Sequence, residues 1–280
     1  MTTTLVIQSP RLDSKELAEL AQLAGAGGIT QPNLDTARLS DINPDSADAI
    51  RACCQALNYD FAFLKGNPRM ADLGLIVSDM DSTLITIECI DEIADMQGLK
   101  PQVAAITERS MRGELDFSAS LRERVALLAG LPASALEKVF NERLQLSPGA
   151  QILLAASKAA GVRFMLVSGG FTYFTERLKA QLGLDYAYAN ELEIIDGKLT
   201  GRVVGDIVDA AAKQRLLIEK REKLGLRPEQ VLAMGDGAND LMMLAEAGIG
   251  VAYRAKPVVQ AKADVAVNVM GLDGIANLFA

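Results

Sequence analysis

The 280-residue chain contains no histidine. Mechanisms built on a histidine nucleophile, base or metal ligand are therefore excluded. Any acid–base work falls to carboxylates or a lysine. Cysteine is scarce: Cys53, Cys54 and Cys89 are three in number, two of them adjacent. They offer neither a disulfide framework nor a CxxC zinc pair, and read as small buried hydrophobes. None is followed six positions later by an arginine, which sets aside cysteine-based phosphate chemistry. There is no G-x-x-x-x-G-K-S/T loop to cradle nucleotide phosphates. No apolar run is long enough to span a bilayer, and the opening MTTTLVIQSPRLD lacks the charged start and cleavage site of a signal peptide. A cytoplasmic location is expected. Basic clusters are missing as well: net charge is −8 and the lysines and arginines are scattered. That speaks against nucleic acid or an anionic membrane as partner.

What is present is a globular composition, 50% hydrophobic and 23% charged. The length suits one α/β domain with a smaller companion. Residues 1–68 read as a small N-terminal α+β domain: a strand at TTLVIQ, helices at SKELAELAQLAG and DSADAIRACCQAL, and a strand at YDFAFL. Residues 65–70, KGNPRM, read as a linker. From 69 to 280 the pattern becomes strand–loop–helix, which predicts a doubly wound parallel, Rossmann-like sheet. The apolar run Leu73–Val77 predicts a short buried strand ending at Ser78. A helical block with no convincing strand follows, placed at about 86–146 as a cap inserted after that strand. GVRFMLVSGG predicts a second strand. NELEIIDGKLTGRVVG predicts a hairpin turning at Asp196-Gly197 as type I′. Asp209 to Gly225 predicts a capped helix, QVLAMGDGAND a strand with a Gly/Asp loop, and GIGVAY and ADVAVNV further strands.

In a parallel α/β sheet, ligands bind outside the carboxyl ends of the strands. Three such ends carry polar residues: Asp79 and Asp81, Ser168 and Gly169, and Asp236, Asn239 and Asp240. Carboxylates gathered at one edge repel one another unless a cation is bound. An all-oxygen donor set without His or Cys points to Mg²⁺. Ser168 and the Gly169 N–H, at a strand-to-helix turn, make a phosphate cradle.

DMDST at 79–83, SGG at 168–170, Lys213 and GDGAND at 235–240 follow the order and spacing of the haloacid dehalogenase-like superfamily of phosphotransferases. The resemblance covers about residues 70–280. IECIDEIA, MRGELDFSASLRERVALL and NELEIIDGKLTG narrow it to the phosphoserine phosphatases. The resemblance implies Mg²⁺-dependent hydrolysis of O-phospho-L-serine through an aspartyl-phosphate, the last step of serine biosynthesis. It implies Asp79 as nucleophile and Asp81 as general acid and base. It implies Asp79, the Asp81 carbonyl and Asp236 as metal ligands, with Asp240 in support. Ser168, Gly169 and Lys213 would bind phosphate oxygens, and Asn239 would reach the substrate. Glu88 and Arg124 would hold the ammonium and carboxylate of serine, and Met111 and Phe117 would close the pocket.

The residues by themselves carry blander readings too. Asp79, Asp81, Asp236 and Asp240 also suit helix caps or turns, and Ser168 suits a cap. At about 100° per residue, Arg124 falls beside the apolar stripe of Phe117, Leu121, Val125 and Leu128, where a cation is usually paired. The same count puts Glu88 opposite the apolar face, as a solvated acid near a helix start. Lys213 in a first helical turn works against the dipole. Two rival functions stand beside the first: another phosphatase of the superfamily, acting on phosphothreonine or a sugar phosphate, and a receiver-type signalling module. The N-terminal unit resembles amino-acid-binding ACT domains by pattern only. Regulatory, homodimer-forming and purely structural roles are all open to it.

Overall fold

Leu75, Ile76 and Val77 are fully buried apolar residues in a run too short for a helix, and they form the central strand β5 (Leu75–Ser78). The computed structural model describes residues 3–280; the side chain of Met111 lies outside the described residues. Ahead of β5 come β1 (Thr3–Gln8), α1 (Ser14–Ala24), β2 (Gly28–Asn33), β3 (Thr36–Ser40), α2 (Ala47–Leu57) and β4 (Asp60–Lys65). After it, the chain turns through Met80–Leu84 and runs into four helices, α3 (Cys89–Met96), α4 (Lys100–Met111), α5 (Phe117–Ala126) and α6 (Ser134–Glu142). It returns through α7 (Ala150–Ala159), β6 (Arg163–Phe171), α8 (Thr172–Leu182), β7 (Tyr186–Ile195), β8 (Lys198–Val204) and α9 (Ala210–Lys223). It ends with β9 (Val231–Gly235), α10 (Leu241–Ala245), β10 (Ile249–Tyr253), α11 (Pro257–Gln260), β11 (Val265–Val267) and α12 (Asp273–Ala276).

Among the described residues eleven strands make one sheet, in the order β2-β3-β1-β4-β11-β10-β9-β5-β6-β7-β8. From β11 to β7 every neighbouring pair is parallel. Counted in chain order, these six strands run 3-2-1-4-5-6 from β7 to β11, the doubly wound arrangement that the strand–helix alternation predicts. Its topological switch lies between β5 and β9, where ligands bind in such sheets. The chain leaves the sheet and comes back side by side. Ile85 bridges Leu146, Thr86 N–H donates to the Gln145 carbonyl at 2.9 Å, and Ser147 N–H donates to the Leu84 carbonyl at 3.0 Å. The four helices between these points therefore stand on a two-stranded stem over the carboxyl ends of the strands.

The first sixty-five residues differ from the sequence expectation in two ways. They contain four strands, not two. GITQPN reads poorly as a strand because Gly, Pro and Asn are depleted from sheets. It is the outer edge strand, where a proline costs no ladder bond. The unit also shares the sheet of the main body. Phe61 of β4 pairs with Ala266 of β11, and Val6, Ala62 and Leu64 pack in the same apolar cluster as Ile76, Met234 and Leu278. Three polar side chains pin the junction. Asp60, nearly fully buried, accepts from the N–H groups of Asn268, Val269 and Met270 at 2.8–3.1 Å. Arg38 donates to Asn67 and to the carbonyls of Asn277 and Leu278. Gln8 donates to the Gly274 carbonyl at 2.9 Å. Asp60→Ala strands the buried Met270 N–H, worth about 1–3 kcal/mol when left unpaired, and the partly buried N–H groups of Asn268 and Val269. A clear fall in the chemical-denaturation midpoint is expected, and an unchanged midpoint would show the pin to be idle.

Candidate active site

β5 and β9 end beside each other, and each hands the chain to a turn rich in carboxylates. Asp79 follows β5 in extended conformation, and its Oδ1 accepts the Met80 N–H at 2.7 Å. The same oxygen lies 2.8 Å from the Lys213 ammonium. Oδ2 of Asp79 makes no hydrogen bond within the described residues and faces the cavity. Asp236 and Asp240 come from the loop after β9. Asp240 is fully buried: Oδ1 takes Lys213 Nζ at 2.7 Å and Oδ2 takes the Gly237 N–H at 3.0 Å. Asp79, Asp236 and Asp240 each offer an oxygen within 4.8 Å of the others.

This crowding sets the electrostatics. Burial first, and the Asp240 charge second, push Asp79 well above the usual carboxylate range, against the pull of Lys213. Burial, then Asp240 and Glu88, lift Asp236 to about 6. Burial disfavours the Lys213 charge, but Asp240 and Asp79 outweigh it and hold the ammonium above its ordinary value. One cation among three clustered acids leaves negative charge unmatched. The donor set is all oxygen, and it suits a hard divalent cation. Asp81 stands outside this cluster. Its Oδ1 is buried without a hydrogen-bond partner, and burial followed by Glu88 raises its carboxyl to about 8. Burial and the neighbouring Glu88 charge thus favour the protonated form of Asp81.

The third strand end supplies donors without charge. β6 and β7 fall out of register between Val167 and Phe171, so Ser168, Gly169 and Gly170 bulge from the ladder toward the cavity. Ser168 Oγ accepts the Gly170 N–H at 2.8 Å. Asn190 of β7 donates to the Gly169 carbonyl at 2.8 Å, fixing the bulge from behind. A Cβ on Gly169 would sit 2.7 Å from the Phe117 ring, so the cap lies directly on this loop.

A cavity of about 480 Å³ opens among these groups. Asp79, Asp81, Glu88, Phe117, Arg124, Ser168, Gly169, Asp236 and Asn239 line it, which brings together most of the residues singled out in the sequence. Three stand apart. Lys213 and Asp240, both fully buried and paired with each other, do not line the cavity. The Met111 side chain lies outside the described residues. Glu88 is the residue before α3, and its Oε1 accepts the Ser82 hydroxyl at 2.7 Å. Water still reaches it, but its partial desolvation in the cleft, and then the Asp91 charge, raise its carboxyl. Arg124 is half-buried; burial lowers its guanidinium, while Asp91, Glu88 and Asp81 act the other way. Among the described residues no carboxylate lies within 4.0 Å of it, and its one hydrogen bond is to the Ser120 carbonyl at 3.4 Å. The structural ion pair that periodicity suggested for Arg124 is absent among the described residues.

Residues missed in the sequence also line or brace the site. Thr83, fully buried, places Oγ1 3.4 Å from Asp236. Lys256 lines the cavity from the loop after β10, where its N–H donates to the Asp236 carbonyl at 3.2 Å. The strand-end rule that picked out three loops would have reached Lys256 had it been applied to the strand GIGVAY as well.

Comparisons with known proteins show the family. A family model described as haloacid dehalogenase-like hydrolase matches residues 76–245. A second model, a domain of unknown function (DUF4072), matches residues 5–50. A phosphoserine phosphatase from Polaromonas is 54% identical over 75% of this chain and 91% of its own length. The crystal structure of a haloacid dehalogenase family hydrolase from Salmonella enterica serovar Typhi superposes with a TM-score of 0.90 at 34% identity, covering 99% of this chain and 98% of that one. A probable phosphoserine phosphatase from Vibrio cholerae superposes with a TM-score of 0.84 at 38% identity, covering 98% and 85%.

Removing the lysine isolates the effect of the clustered acids. Lys213→Met leaves Asp79 and Asp240 facing each other without their cation, a loss of about 3–5 kcal/mol for a broken buried pair. Thermal melts are expected to show a lowered Tm that magnesium chloride restores in part, with a larger gain than in the wild type. A wild-type Tm, or a drop that magnesium leaves untouched, would contradict this electrostatic picture.

Proposed function

Because the chain belongs to the haloacid dehalogenase-like hydrolases, we propose that it is a phosphoserine phosphatase, cleaving O-phospho-L-serine to L-serine and inorganic phosphate. The observation that carries this reading is that one cavity, lined also by Asp79, holds both Glu88 and Arg124, which has no ion-pair partner among the described residues. A small zwitterion fits between one fixed anion and one fixed cation, and the phosphoryl group then meets the strand ends. Similarity of about half the residues to phosphoserine phosphatases over most of their length supports the same substrate.

Asp79 is the nucleophile. Met80 and Lys213 hold its Oδ1, which leaves Oδ2 to attack phosphorus. As the ester P–O bond breaks, Asp81 gives its proton to the serine oxygen. In the second half Asp81, now a carboxylate, takes a proton from water. The water oxygen attacks phosphorus, the bond to Asp79 breaks and phosphate leaves. Ser168 and the Gly169 N–H hold phosphoryl oxygens, Asn239 reaches the substrate, and Lys213 has one N–H not spent on a carboxylate. Phe117 closes the cap side. Asp79, Asp236, Asp240 and the Asp81 carbonyl would hold Mg²⁺, which when bound matches the negative cluster and polarises the phosphoryl group. No helix among the described residues is long and apolar enough to cross a membrane, and we place the enzyme in the cytoplasm. Residues 69–280 form the phosphatase domain with its cap at about 86–146. We assign residues 1–68 a structural role first, because buried polar pins tie them to the C-terminal loops.

The test is phosphate release from O-phospho-L-serine with Mg²⁺ and with chelator, followed by two variants. Arg124→Ala strands a buried charge partner at roughly 2–5 kcal/mol. Its kcat/KM for phosphoserine is therefore expected to fall on the order of 30- to several thousand-fold. O-Phosphoethanolamine, which lacks the carboxylate, should be affected far less. Glu88→Ala should spare a phosphate ester of a hydroxy acid, which lacks the ammonium. Equal damage to phosphoserine and phosphoethanolamine in Arg124→Ala would mean that Arg124 holds the cap together and does not read the substrate.

A further inference from the structure

Among the described residues Arg124 has no ion pair to set its place, so its position must come from the helix that carries it. That helix, α5, is held from behind. The β7–β8 hairpin folds on a turn with Asp196 and Gly197 at φ of 51° and 74°. Its second strand runs along residues 126–133 of the cap. Gly130 N–H donates to the Leu199 carbonyl, Leu199 N–H to the Leu131 carbonyl and Ala133 N–H to the Gly197 carbonyl, each at 2.8 Å. Pro132 bridges Lys198 in the same antiparallel sense. Gly201, at φ of 81°, comes so close to the end of α5 that a Cβ there would lie 2.9 Å from Ala129 Cβ and 3.2 Å from the Ala126 carbonyl oxygen. Two residues along a helix turn about 200°, so Ala126 faces away from Arg124. The hairpin therefore presses on the side of α5 opposite the cavity.

We propose that the β7–β8 hairpin is the positioning element for substrate recognition: a backbone strap and glycine backstop that sets the distance between Arg124 and the phosphate site. The inference rests on the phosphoserine reading above. The hairpin springs from β7, whose Asn190 fixes the Gly169 bulge. One element thus braces both ends of the substrate site, the phosphate loop through Asn190 and the carboxylate reader through Gly201. The stem at Ile85 and Leu146 holds one end of the cap and the strap holds the other. The half of the cap that carries Arg124 is fixed to the sheet at both places.

Two independent variants test it. Gly201→Ala inserts a methyl where α5 must give way, and Ala133→Pro removes one strap N–H at a residue whose φ of −57° already suits proline. The readouts are KM for O-phospho-L-serine and competitive inhibition by L-serine and by inorganic phosphate. In Gly201→Ala, KM and the serine inhibition constant are expected to rise together by roughly ten- to a hundredfold, as small displacements of a binding group do. The phosphate inhibition constant and kcat should stay within about threefold. Ala133→Pro should move the same two constants by about three- to tenfold, the worth of one hydrogen bond. Adding Ala129→Gly to Gly201→Ala removes the nearest clash and should restore part of the serine binding. Equal weakening of serine and phosphate, or unchanged constants in both variants, would overturn the proposal. Failure of the wild type to release phosphate from phosphoserine would instead strike the functional reading.

Discussion

One buried ammonium organises the site. Lys213 Nζ sits 2.8 Å from Asp79 and 2.7 Å from Asp240, with no solvent contact. Without it, two carboxylates at adjoining strand ends would be buried against each other, and each would protonate sooner than stay charged. With it, one oxygen of Asp79 is fixed and the other left for chemistry. The lysine reaches this place from the first turn of α9, a position that the helix dipole disfavours for a cation. The two carboxylates offset that cost. The 3-2-1-4-5-6 strand order is what allows the meeting, since it sets the ends of β5 and β9 side by side at the switch point.

Around this centre the molecule is tied at three places by backbone groups and buried polar side chains. The stem at Ile85 and Leu146 carries the cap. The β7–β8 hairpin bonds the far end of α5. Asp60, Arg38 and Gln8 lock the N-terminal strands onto the last loops of the chain. All three are polar contacts that lose their meaning if displaced by a residue, so they fix register as well as adding stability.

Much of the site could be read from the sequence because its parts obey local rules. Asp79 and Asp236 follow short apolar runs, and strand ends in parallel sheets are where ligands bind. Arg124 was visible as a cation beside an apolar stripe, which is rare without a reason. Glu88 escaped that logic. It precedes α3 in an extended conformation, φ −98° and ψ 107°, so a helical angle assigned to it has no meaning. Only resemblance to a family brought it forward. The strand Gly28–Asn33 was hidden by turn-forming residues on an edge, where pairing with one neighbour overrides weak propensity, and the short Thr36–Ser40 is set by pairing with β2 on one side and β1 on the other. The burial of Lys213 beneath the floor, and the pinning of the N-terminal unit through Asp60, depend on contacts more than a hundred residues apart or between separate loops. No local pattern encodes them.

The central claim is that Asp79, freed on one oxygen and fixed on the other, takes the phosphoryl group. Rapid acid quench of the wild-type enzyme during turnover of O-phospho-L-serine, followed by peptide mass spectrometry, tests it most directly. The expected result is a phosphoryl adduct on Asp79 that is absent from Asp79→Asn. An adduct on Ser82 or Thr83, or turnover with no protein-bound phosphate at any quench time, would contradict it.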